Sequence, residues 1–97
     1  MGTLDDLRRD IDRVDEVLVR LLNERARCVC EIGRLKKEQG IDIYQPDREK
    51  DGLKHVQDLA SEGPLGSEAI GRLFERIIDE ARRLERRVMH GDSDRFK

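Results

Sequence analysis

The chain has 97 residues, room for one domain, and its 20 Lys and Arg against 22 Asp and Glu leave a formal charge of −2 although 43% of the residues are charged. So small a net charge exerts no long-range pull on a phosphate backbone, and three aromatics with no Trp make no base-stacking platform, so no nucleic acid is expected as a partner. Leu, Ile, Val and Phe make up about 27% of the chain, above the roughly 20% below which disorder is the default, so a fold with a thin core and a charged surface is expected.

The first helix is predicted over residues 4–38. Apolar residues fall at Leu4, Leu7, Ile11, Val14, Leu18 and Leu21, then at Cys28, Ile32 and Leu35. Steps of three and four trace a heptad seam. Gly40 stands where a C-terminal cap belongs, and 40–45 reads as a connector. Pro46 suits the first position of a second helix, with Asp47 and Glu49 in the first turn where the dipole favours acids. That helix carries Leu53, Val56, Leu59 and Ala60 and should end near Ser61; Gly52 weakens it. Residues 61–67 form a turn in which Ser67 is the expected N-cap. A third helix from about 68 to 90 carries Ile70, Leu73, Phe74, Ile77, Ile78, Ala81, Leu84 and Val88 on one stripe. No strand-like alternation remains, so the chain reads as all-α, three helices in one domain over 1–90, with a polar, frayed tail over 91–97.

Size forces a further expectation. The first helix would be about 50 Å long, against a radius of gyration of about 13 Å for a compact domain of this size. Two shorter helices cannot cover so long a seam. A second copy across a twofold axis would, giving an intertwined homodimeric helical bundle.

Several polar residues interrupt the stripes. Of ten seam positions from 4 to 35, Arg25 alone is neither apolar nor Cys. Burying its guanidinium calls for an anion, which could be a protein carboxylate in a register-setting ion pair or a ligand. Arg8 and Lys36 flank the seam 28 residues apart, about 42 Å along one straight helix, so one chain cannot bring them to one site. In an antiparallel pair, Arg8 of one copy could approach Arg25 and Lys36 of the other. Glu49, with Arg48 beside it, continues the stripe of Leu53, Val56 and Ala60, and Glu85 continues that of Phe74, Ile78 and Ala81. Each carboxylate has a plainer reading, as a first-turn dipole partner and the edge of a solvated face respectively.

Other chemistry is not indicated. Cys28 and Cys30 point to different faces of one helix, so they read as one core and one half-exposed residue in a reducing, cytoplasmic compartment. His55 and His90 have no metal-site spacing. No apolar run approaches the ~18 residues of a membrane span, no signal peptide opens the chain, and Asp6 replaces the Ser or Thr of a myristoylation signal. Fixed cations without a nucleophile suit a small dianion, or a reaction needing only positioning and electrostatics.

Leu7-Arg8, Ile11-Asp12, Asp15-Glu16, Leu22-Asn23-Glu24-Arg25, Glu31-Ile32-Gly33 and Lys36 resemble the opening helix of the all-helical chorismate mutases. Tyr44-Gln45-Pro46-Asp47-Arg48-Glu49 resembles that family's second-helix start, and Leu73-Phe74, Ile77-Ile78 and the approach to Glu85 resemble its third helix. The likeness covers roughly residues 4–88. It implies an intertwined dimer that rearranges chorismate to prephenate without a cofactor. Arg8 from the partner subunit and Arg25 would bind the substrate carboxylates. Lys36 would reach the ether oxygen and a neighbouring carboxylate, and Arg48 would border the pocket. Glu49 would accept the ring hydroxyl, helped by the Gln45 backbone N–H, and Glu85 would donate to the ether oxygen. Glu85 stands where some members have Gln, Ala81 where some have Ser, and Gln45 where some have an acid. Many members are fused to other enzymes of the aromatic pathway, which keeps such an enzyme among the expected partners. Isochorismate-pyruvate lyase shares the scaffold, and a non-catalytic dimerisation module binding an acidic partner is the alternative of another class.

Overall fold

Thr3 begins the first helix with extended backbone (φ −71°, ψ 172°), outside the helical region. Its Oγ1 accepts the Asp6 N–H at 3.2 Å while its own N–H donates to Asp6 Oδ2 at 3.1 Å. This reciprocal cap satisfies two backbone donors that a helix start leaves orphaned. The Thr3 N–H, then the Arg9 guanidinium and the Thr3 hydroxyl, hold the Asp6 carboxyl below the usual carboxylate range. The computed structural model describes residues 2–91, and in it α1 runs Leu4–Gln39, α2 Pro46–Ala60 and α3 Ser67–Met89. The tail over 91–97 lies, apart from Gly91, outside the described residues.

The end of α1 and the starts of α2 and α3 have local causes. Gly40 takes the left-handed conformation (φ 67°), and the Ile41 N–H donates to the Lys36 carbonyl at 2.9 Å. Pro46 opens α2 as expected, with Gln45 at the cap position and no side-chain hydrogen bond there. The expectation that Ser67 caps α3 is wrong. Gly66 occupies the cap with φ 84°, a conformation that glycine alone enters easily, so the chain turns one residue earlier and Ser67 is already helical. The Ser67 carbonyl instead accepts Gln57 Nε2 from α2 at 3.3 Å.

Helix α3 packs against both other helices, whereas α1 and α2 hardly approach each other. Gly33 sets the approach of α1 to α3: a Cβ there would stand 3.3 Å from Val88 Cγ1 and 3.5 Å from the Glu85 Cα. Among the described residues, Val29 and Val88 are the buried hydrophobic ones. The molecule measures 54 × 30 × 14 Å with a radius of gyration of 16.4 Å, well above the ~13 Å of a compact domain.

Two faces of α1 explain that shape. The one meeting α3 carries Val29, Gly33 and Lys36. One position round the helix, most of the heptad seam faces away: Leu4, Leu7, Ile11, Val14, Leu18, Leu21 and Leu35 are all exposed, and Ile32, also exposed, turns toward the cavity described below. Cys28 belongs to that seam, so it lies outside the core of the single chain and is exposed there; Cys30 is half-buried. No described helix is long and apolar enough to cross a membrane.

Candidate active site

An open cavity of about 490 Å³ lies where the C-terminal half of α1, the start of α2 and the middle of α3 face one another. From α1 come Arg25 and Lys36; Gln45 stands at the mouth of α2 with Arg48 and Glu49; α3 supplies Ala81 and Glu85. Seven of the eight expected site residues therefore meet in one place. Arg8 does not: it lies exposed in the second turn of α1, far along the helix from the cavity. Val29, Val56, Phe74 and Ile78 form the apolar walls.

Lys36 and Glu85 form the deepest pair. Lys36 Nζ lies 3.0 Å from Glu85 Oε1, with the two side chains only 12% and 9% exposed. A second ammonium N–H donates to the Ile43 carbonyl at 3.0 Å. A lysine has three such donors, so one is left for a ligand on a head group already fixed by the other two. Glu85 is just as constrained, and Oε2 is the oxygen without this partner. Gly33 makes the pair geometrically feasible by bringing the α1 and α3 backbones together one turn away.

Arg82 is the functional candidate that sequence reasoning passed over. It lines the cavity from α3, with Nε 3.4 Å from Glu49 Oε2 on α2 and its guanidinium carbon 5.9 Å from the centroid of the Tyr44 ring. The Glu49 contact is an ion pair without a hydrogen bond, and the buried Nε has no hydrogen-bond partner. The signal was available: from Ile78, a step of four reaches Arg82 and a further step of three reaches Glu85, so a cation interrupts the same stripe. His55 also borders the cavity.

Arg25, Lys36, Arg48 and Arg82 thus face Glu49 and Glu85, an excess of positive charge suited to a ligand with two anionic groups. Among the described residues no group of His, Cys, Asp and Glu is placed to hold a metal. The arrangement can fix an anion rigidly and place an ammonium and a carboxyl side by side at its centre. On the expectation that Arg25 is buried, the single chain differs: Arg25 is exposed at the edge of the cavity, on the seam side of α1.

The chain is similar to known proteins along most of its length. The family model for chorismate mutase type II matches residues 7–86. A bifunctional chorismate mutase/prephenate dehydratase of Neisseria gonorrhoeae is 41% identical over 88 residues, 87% of this chain and 24% of that protein. A protein of the same description from Aquifex aeolicus is 35% identical over 91 residues, 91% of this chain and 25% of that protein. The chain therefore spans about a quarter of the length of these relatives. The solved structure of a chorismate mutase from Thermus thermophilus superimposes with a TM-score of 0.82 at 40% identity, covering 87% of this chain and 94% of that one.

Proposed function

The chain belongs to the chorismate mutase type II family, and from that membership we propose that it forms a homodimer that rearranges chorismate to prephenate. The convergence of Arg25, Lys36, Arg48, Glu49 and Glu85 on one cavity carries the reading. The exposed seam of α1 supports the dimer: its apolar residues are left without cover by the chain's own α2 and α3. A partner helix laid antiparallel along the seam would cover it, face Arg25 and bring its own Arg8 to the open side of the cavity.

Chorismate rearranges without an added acid, base or nucleophile, so the protein has two tasks. The first is to hold the flexible dianion in the folded shape that brings the reacting carbons together, which removes conformational entropy from the barrier. Arg25 and the partner's Arg8 would do this by gripping the carboxylates, with Arg48 closing the α2 side. Glu49, helped by the Gln45 backbone N–H, would take the ring hydroxyl and fix the ring. The second is to stabilise charge growing on the ether oxygen as the C–O bond stretches. The free N–H of Lys36 would do so from one side, and Glu85 from the other if Oε2 carries a proton. Ala81 leaves room beside Glu85 but offers no further donor.

Absorbance loss of chorismate, with the product identified by chromatography, tests the reading, and prephenate is the expected product. Pyruvate release would instead indicate the lyase, and intact chorismate would end the enzyme reading. An amide at position 85 could donate to the ether oxygen without needing a proton and carries no charge to repel the dianion. Glu85→Gln is therefore expected to keep kcat/KM for chorismate within about tenfold of the parent, whereas Glu85→Ala, which offers no donor, should lose ~10²-fold or more. Equal losses in the two variants would refute the assignment.

Gly52 offers a separation of stability from binding. A Cβ there would meet the Nη1 of Arg48 at 3.0 Å, the movable end of a long side chain. Gly52→Ala is expected to stabilise the chain by up to about 1 kcal/mol through helix propensity, measured by urea denaturation. The displaced guanidinium should at the same time raise KM for chorismate roughly threefold.

A further inference from the structure

We propose that Arg82 is a positioning residue that holds Glu49 in the orientation from which it takes the substrate's ring hydroxyl; this rests on the mutase reading above. Three observations converge on it. Arg82 projects from α3, Glu49 from α2 and Tyr44 from the connector before α2, so the trio ties together three segments of chain. The guanidinium lies within cation–π range of the Tyr44 ring, which restrains its swing. Its Nε is buried without a hydrogen bond, 3.4 Å from a carboxylate oxygen.

That last feature is what a purely structural clamp would not leave. An unsatisfied buried donor costs about 1–3 kcal/mol, and a small rotation of Glu49 would satisfy it. The loose contact fits a site waiting for its ligand, since such bonds are commonly long without substrate and tighten when it binds. When the ring hydroxyl donates to one oxygen of Glu49, the carboxylate turns and the other oxygen closes on Arg82 Nε. Arg82 thereby keeps a negative charge on α2 facing the cavity, where Arg25, Lys36 and Arg48 would otherwise draw Glu49 toward themselves and away from the hydroxyl.

A double-mutant cycle on the dimer tests this, with kcat and KM measured separately. Arg82→Leu is expected to lower kcat/KM ~10-fold in the parent background but less than ~2-fold in a Glu49→Gln background, because the residue acts through Glu49. Arg82→Lys, which keeps the charge over the ring, should recover part of the loss. Equal losses in both backgrounds would overturn the proposal, showing that Arg82 touches substrate directly or acts through the fold. Should Arg82→Leu fail to fold, the same cycle with Arg82→Lys carries the test. The parent protein is the control for the reading beneath: if it leaves chorismate unchanged, the mutase assignment fails, whereas an active parent with an additive cycle isolates the failure to Arg82.

Discussion

Lys36→Ala is expected to lower kcat/KM by about 10³-fold, the scale of removing a preorganised donor from developing negative charge. It is also expected to destabilise the fold. Lys36 is 12% exposed and its partner Glu85 9%, so the substitution leaves a carboxyl deep between α1 and α3 with no cation beside it. Breaking a fully buried pair costs about 3–5 kcal/mol; with this residual exposure, about 2 kcal/mol is expected. The Ile43 carbonyl loses its donor as well, loosening the connector just before the Gln45 cap. Urea denaturation at fixed protein concentration and initial rates read the two effects separately. The double variant Lys36→Met with Glu85→Gln should regain most of the stability but none of the activity, because an amide restores polarity balance without restoring the ammonium. A single variant that kept full activity would remove Lys36 from the chemistry.

Mixing two inactive variants is expected to restore activity. If each site takes Arg25 from one chain and Arg8 from the other, Arg8→Ala and Arg25→Ala homodimers both carry two crippled sites. A mixed dimer has one site lacking both arginines and one with both intact. Random exchange after co-refolding makes half of the dimers mixed, so activity should return to about a quarter of the wild-type value. The rate of a titrated mixture checks it, with each pure variant expected to lose ~10²-fold or more. No recovery on mixing would mean that Arg8 belongs to no shared site, and the exposed seam of α1 would need another explanation.

The helices were legible because their spacing, Gly40 and Pro46 are local signals, and the three came within a residue or two of their true limits. Arg25, Glu49 and Glu85 were legible as charges on apolar stripes. What the letters concealed was which of two adjacent faces of α1 meets α3. Positions 29, 33 and 36 do so, one step from the seam, and this is why Cys28 looked like core and is exposed. Ser67 misled because hydroxyl caps are common, whereas the turn here used the positive φ of Gly66, one residue earlier. Arg82 escaped notice because Ala81 seemed to complete the same stripe, and its partner Glu49 lies on another helix at a distance no sequence period encodes. Arg8 remains legible only by way of a second chain.

Because α1 and α2 hardly touch, the chain is held together as two leaves on a common spine, α3. One leaf carries Lys36 and Arg25, the other Arg48 and Glu49. A dianion gripped from both sides would close the open edge of that triangle and act as cement, adding a restraint that the empty protein lacks and slowing the breathing of α2 most of all. Release then asks for no unfolding of the spine. Swinging the short leaf outward about 40–45 and 61–66 would free the product while the long helix and its neighbour stay in place. If the chain turns chorismate over, its rate would then depend on how tightly the product still bridges the leaves.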